Sequence, residues 1–281
     1  MSARRPDAVN AAARQLNLGA ALLALAVLAD SAVEHYRGSF HNRAMYAPLA
    51  SATLALAGSL HGTMDRRAAP HPVRDGCYAL AAVTGIAGLG FHAYNIGKRA
   101  GGWSWLNLFY AAPIGAPFAL TLSGFLGRGA EKARTLRTAR SGRASGGIPL
   151  QRLLAAVSAA GLAGTVAEAA LLHFRGAYHD PAMVLPVSIP PVAATLLGAA
   201  ALAPTRRRHG LARGWLKLTA LLGFAGVGFH AYGISRNMGG WRNLSQNLLN
   251  GPPLPAPPSF TGLALTGLAA LSLIEEIERV G

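Results

Sequence analysis

The stretch His35-Tyr-Arg-Gly-Ser-Phe-His41-Asn-Arg-Ala-Met45 returns 138 residues later as His173-Phe-Arg-Gly-Ala-Tyr-His179-Asp-Pro-Ala-Met183. Gly90-Phe-His92-Ala-Tyr94 and Gly228-Phe-His230-Ala-Tyr232 keep the same offset, as do Gly101-Gly-Trp103 and Gly239-Gly-Trp241. After a two-residue insertion, Asn107, Pro113 and Pro117 meet Asn247, Pro253 and Pro257. One offset held across three separate motifs reads as an internal duplication, which decides the architecture before any single helix is placed.

The units are built for lipid. Hydrophobic residues make up 52% of the 281 and charged residues only 13%, against about 25% charged in a soluble domain. Eight stretches are long and apolar enough to cross a hydrocarbon core about 30 Å thick. They lie near 16–34, 46–63, 76–95, 109–127, 150–173, 182–203, 213–234 and 258–275. No alternating strand pattern competes with helix, and lipid demands that backbone polar groups be satisfied within the segment. The expected fold is therefore an all-α integral membrane protein with eight transmembrane helices as two tandem four-helix repeats. Residues 1–127 form the first, 128–148 a basic cytoplasmic linker and 149–281 the second. An even number of spans per unit gives both units the same orientation, as in parallel-repeat membrane proteins. The first apolar run resembles a signal peptide, but its match in the second half is internal, so it is read as a retained helix.

A formal net charge of +15 would point to nucleic acid in a soluble protein. Here the basic residues sit between apolar runs, so nucleic acid is not an expected partner and the bilayer is. Of the 26 Lys and Arg residues, 19 fall in the termini, the even-numbered loops and the linker, and seven in the odd-numbered loops. The positive-inside rule then places both termini in the cytoplasm of a multi-pass inner (plasma) membrane protein. Cys77 is the single cysteine, which excludes intrachain disulfides, thiolate metal sites and c-type haem attachment.

Each unit gathers one acid and three histidines near its outer helix ends or in its outer loops: Asp30, His35, His41 and His92, then Glu168, His173, His179 and His230. Ionisable groups at membrane depth are costly and mark functional sites by default. Imidazole is the commonest metal ligand, and a carboxylate can either join it or orient it through the other ring nitrogen. Five residues separate Asp30 from His35, about 140° on an ideal helix, so both reach one ion only if the helix end distorts. Two chemistries fit. In one, a non-haem iron, or another transition metal, is held by the three histidines with the acid as fourth ligand or orienter. In the other, His35 and His92, and likewise His173 and His230, are axial ligands of a b-type haem. Gly88, Gly90, Gly226 and Gly228 would then clear space for the macrocycle, and Arg37 or Arg175 would pair with a propionate.

The aromatic residues Trp103, Trp241, Tyr36, Tyr46, Tyr94, Tyr178 and Tyr232 read as an interfacial belt. His61, His71 and His209, toward the cytoplasmic side, are set aside. No Walker loop, dinucleotide fingerprint, nucleophile elbow or HExxH is present, so nucleotide-driven and hydrolytic functions have no support. The leading expectation is a membrane redox protein, a candidate subunit of a membrane oxidoreductase. It would pass electrons between a periplasmic redox subunit and the quinone pool. A parallel-repeat transporter using the same clusters, and an anchor for a periplasmic partner, are the alternatives.

Overall fold

The computed structural model describes residues 6–136, 148–203 and 205–280. Among them there is no strand, and eight helices have 18 residues or more. In chain order these are α1 (Pro6–Arg37), α2 (Ala47–Met64), α3 (Pro72–Gly97), α5 (Gly115–Thr135), α6 (Leu150–Arg175), α7 (Leu185–Leu202), α8 (Arg206–Arg236) and α10 (Pro258–Val280). Two short helices, α4 (Trp105–Tyr110) and α9 (Leu244–Asn250), sit in the connections before α5 and α10. Six of the long helices, all but α2 and α5, are long and apolar enough to cross a membrane, which marks the chain as membrane-embedded. Polar and charged residues set the other two apart: α2 carries His61, Ser51, Ser59 and Thr63 over only 18 residues, and the end of α5 carries Arg128, Glu131, Lys132 and Arg134.

The helices α1, α2, α3 and α5 pack in a ring, each on the next, and α6, α7, α8 and α10 pack in a second ring of the same order. α1 against α10, and α5 against α6, join the two rings. At the α1–α10 contact, Gly262 faces the Gly19 carbonyl so closely that an added Cβ would stand 2.8 Å from that oxygen. Small residues here let the two backbones meet, which is how helices gain packing energy where lipid removes the hydrophobic drive. Leu16, Leu23, Leu126, Leu162, Leu197, Leu216, Leu263 and Leu271 fill the core around this seam.

The fourth span departs from expectation at both ends. The segment expected to start near 109 is broken at Pro113, with α4 before it and α5 starting only at Gly115. α5 then runs on to Thr135, so the first eight residues of the expected linker are helix; residues 137–147 of it lie outside the described residues. The extension is held by a buried ionic cluster. Arg74 and Glu131 are each 2% exposed, and Arg74 also donates to Asp65 Oδ2 at 2.7 Å. Arg134 donates to Asn10 Oδ1 at 2.8 Å and to the carbonyls of Gly62 at 2.8 Å and Arg67 at 2.6 Å. Buried charges persist when they are paired and most of their donors are hydrogen-bonded in this way.

Candidate functional site

Each outer histidine is fixed by a backbone carbonyl. His35, in the last turn of α1, has Nδ1 2.7 Å from the Met45 carbonyl oxygen, and His173 has Nδ1 2.8 Å from that of Met183. His92 on α3 meets the Pro113 carbonyl through Nδ1, and His230 on α8 meets that of Pro253 at 2.7 Å. A carbonyl oxygen can only accept, so Nδ1 carries a proton in all four rings, and the neutral form of each ring keeps its lone pair on Nε2. This is the tautomer a ligating or accepting histidine needs, held from behind by the second bond.

The loop around His35 is strained to make this fit. Ser39 and Phe40 both take left-handed backbone (φ 57° and 44°), as do Ala177 and Tyr178 (φ 56° and 46°). None is glycine, and the conformation costs roughly 1–2 kcal/mol per residue. The strained turn brings the Phe40 ring edge-on to His35 at 6.1 Å and the Tyr178 ring edge-on to His173 at 6.0 Å. Strain repeated beside the same side chain is a pointer to function.

His35 and His92 lie within electrostatic reach of each other, as do His173 and His230. The third histidine does not join. His41 and His179 are exposed and turn Nδ1 onto their own loops, at 3.0 Å from the Gly38 carbonyl and 2.9 Å from that of Gly176. Asp30 and Glu168 bond to no histidine among the described residues; they lie within electrostatic reach of one another, across the boundary between the two rings. Accordingly, no group of three or more His, Cys, Asp or Glu among the described residues is placed to hold a metal ion.

The glycines also divide differently from expectation. Gly88 and Gly226 share the His92 and His230 faces of their helices, but they pack against Pro117 and Pro257 and clear no slot. Gly90 and Gly228 face open space, on the opposite side of the helix from the histidine. Arg37 pairs with Glu34 at 2.7 Å, whereas Arg175 lies over the Phe109 and Tyr110 rings at 5.7 and 5.3 Å from their centres.

The histidine-bearing ends are loosely enclosed. No residue from 32 to 50 or from 86 to 95 is buried, and none from 163 to 189 or from 224 to 233. That contrasts with the dense packing at the middle and opposite end of each ring. No family model, no curated protein and no solved structure matches the chain. The site must be read from its own geometry.

Two retained features are structural. Asn107 Nδ2 donates to the carbonyls of Ala100 at 3.0 Å and Gly102 at 2.7 Å, and Asn247 Nδ2 to that of Gly240 at 2.8 Å. These bonds close the glycine-rich outer turns. Sequence reading also missed that His71 and His209 share the 138-residue offset. Among the described residues, both hold a buried ring nitrogen without a hydrogen-bond partner, Nδ1 in His71 and Nε2 in His209.

Proposed function

We propose that the chain is a membrane electron-transfer protein of two tandem, equally oriented four-helix units, each holding a b-type haem between two histidines at its non-cytoplasmic end. His35 and His92 would hold it in the first unit, and His173 and His230 in the second. One observation supports the reading: in both units a histidine on each of two different helices, the two within electrostatic reach of each other, has its Nδ1–H tied to a backbone carbonyl. A haem so held supplies one-electron transfer.

The chain's own residues do the rest. The Met45 and Pro113 carbonyls fix ring orientation and raise the basicity of Nε2, as outer-shell acceptors do for metal-bound histidines. Arg37 and Arg175, two residues after His35 and His173, would have to leave Glu34 and the Phe109 and Tyr110 rings to meet its carboxylates. The three-histidine non-haem alternative loses its basis because His41 and His179 turn away. With eight spans and both termini cytoplasmic, the sites face the side where a periplasmic redox subunit would dock, with quinone as the membrane-side carrier.

The test is the optical spectrum of the purified full-length protein. A Soret band, a b-type pyridine haemochrome and a low-spin signal with one haem per unit are expected. Protein made with ample iron and haem precursor that shows no Soret band overturns the proposal.

A further inference from the structure

The segment Pro113-Ile114-Gly115 touches both units. At one end the Pro113 carbonyl accepts from His92 Nδ1. At the other, Gly115 opens α5 with its backbone set directly against the Glu168 carboxylate on α6. The fit is tight: a Cβ on Gly115 would collide with that carboxylate. The neighbouring α4 docks on the same helix, with Phe109 edge-on to Phe174 at 5.9 Å and Arg175 over Phe109 and Tyr110.

From this geometry we infer that Glu168 is a positioning residue for His92 of the other unit, acting through the three-residue bridge from Gly115 to Pro113. A carboxylate at a helix N-terminus meets unpaired N–H groups and a favourable dipole, so it anchors the start of α5 and the carbonyl two residues before it. The coupling runs one way. The repeat offset places Pro255 where Gly115 stands, and proline has no N–H to offer. Among the described residues no hydrogen bond reaches Asp30, the counterpart of Glu168. The second unit's chain therefore holds the first unit's histidine, and the reverse support is missing.

The inference draws its functional weight from reading His92 as a ligand, but its test needs no haem. Full-length protein labelled with 15N-histidine is placed in lipid nanodiscs and kept reduced, where any six-coordinate ferrous haem is diamagnetic. The Nδ1–H cross peak of His92 is assigned by its loss in His92→Gln. Glu168→Ala is expected to abolish that peak, and Glu168→Gln to keep it, because the amide has the same shape and still packs on Gly115 with an oxygen able to accept from its N–H. Gly115→Ala, which retains the carboxylate but pushes it away, should repeat the loss. Asp30→Ala should leave the corresponding peak of His230 in place. An unchanged His92 peak in Glu168→Ala or Gly115→Ala overturns the inference, as does loss of the His230 peak in Asp30→Ala. A chain that binds no haem yet shows the expected pattern overturns only the function proposed above.

Discussion

Arg74 and Glu131 meet through two parallel hydrogen bonds, Nε to Oε1 and Nη2 to Oε2, each 2.9 Å long and both buried. The pair ties the start of α3 to the last turns of α5. At the equivalent positions of the second unit stand Ala212 and Leu271, both fully buried. One sequence thus contains an ionic and an apolar solution to the same helix contact.

Removing one member of the pair leaves a buried charge uncompensated. Arg74→Ala or Glu131→Leu should each lower stability by about 3–5 kcal/mol, read as a fall in thermal midpoint of the detergent-solubilised protein. The double variant, which copies the second unit, should be more stable than either single one. A double variant as damaged as the sum of the singles would refute the pairing.

Asp65 gives the same cluster a pH signature. Burial disfavours its ionised form, but hydrogen bonds from the Arg74 side chain and the Arg67 N–H, with the charges of Arg74 and Arg134, outweigh it and hold the carboxyl at about 2 against an ordinary 3.8. The unfolded chain takes up its proton first, so this stabilisation is whole above 3.8 and is lost as pH falls through about 2. Thermal midpoints followed across that interval should fall less steeply in Asp65→Asn than in the parent.

Among the outer histidines the roles separate. His35→Ala and His92→Ala should each remove the haem of the first unit, halving the haem content, while His41→Ala leaves it intact. The pyridine haemochrome measures this directly. Equal loss in all three variants would restore the three-histidine site.

Two glycines on one helix should respond oppositely. A Cβ on Gly85 would stand 2.7 Å from the Pro117 carbonyl, whereas one on Gly90 meets nothing within 4 Å. Gly85→Ala should therefore cost about 1–3 kcal/mol through displaced backbone, and Gly90→Ala should be neutral or slightly stabilising. Size-exclusion profiles after graded heating compare them.

Much of the helix layout was legible because hydrophobic runs and breaker residues mark lipid-length helices. The expected 46–63 and 150–173 are found as Ala47–Met64 and Leu150–Arg175. The end of α5 was not legible. Glu131 and Arg134 look like solvated linker charges until Arg74, Asp65 and Asn10 are seen around them. A signal was present in what the two copies do not share: Asn17, Arg74, Tyr78, Glu131 and Arg134 face Ala155, Ala212, Leu216, Leu271 and Ile274. Reading only the matches concealed the buried ionic cluster of the first unit. The matched histidines single out the candidate site from the sequence, but spacing along a chain says nothing about ring rotation. It therefore did not separate His35 and His92, which bond to carbonyls of other segments, from His41, which folds back onto its own loop.

The one-sided ionic cluster also bears on how the chain enters the bilayer. Helices of the second unit carry few buried charges and can partition from the insertion machinery one at a time. Arg74 on α3 and Glu131 on α5 are costly to expose to lipid alone, so release of α3 into the bilayer is expected to be favoured only once α5 can stand beside it.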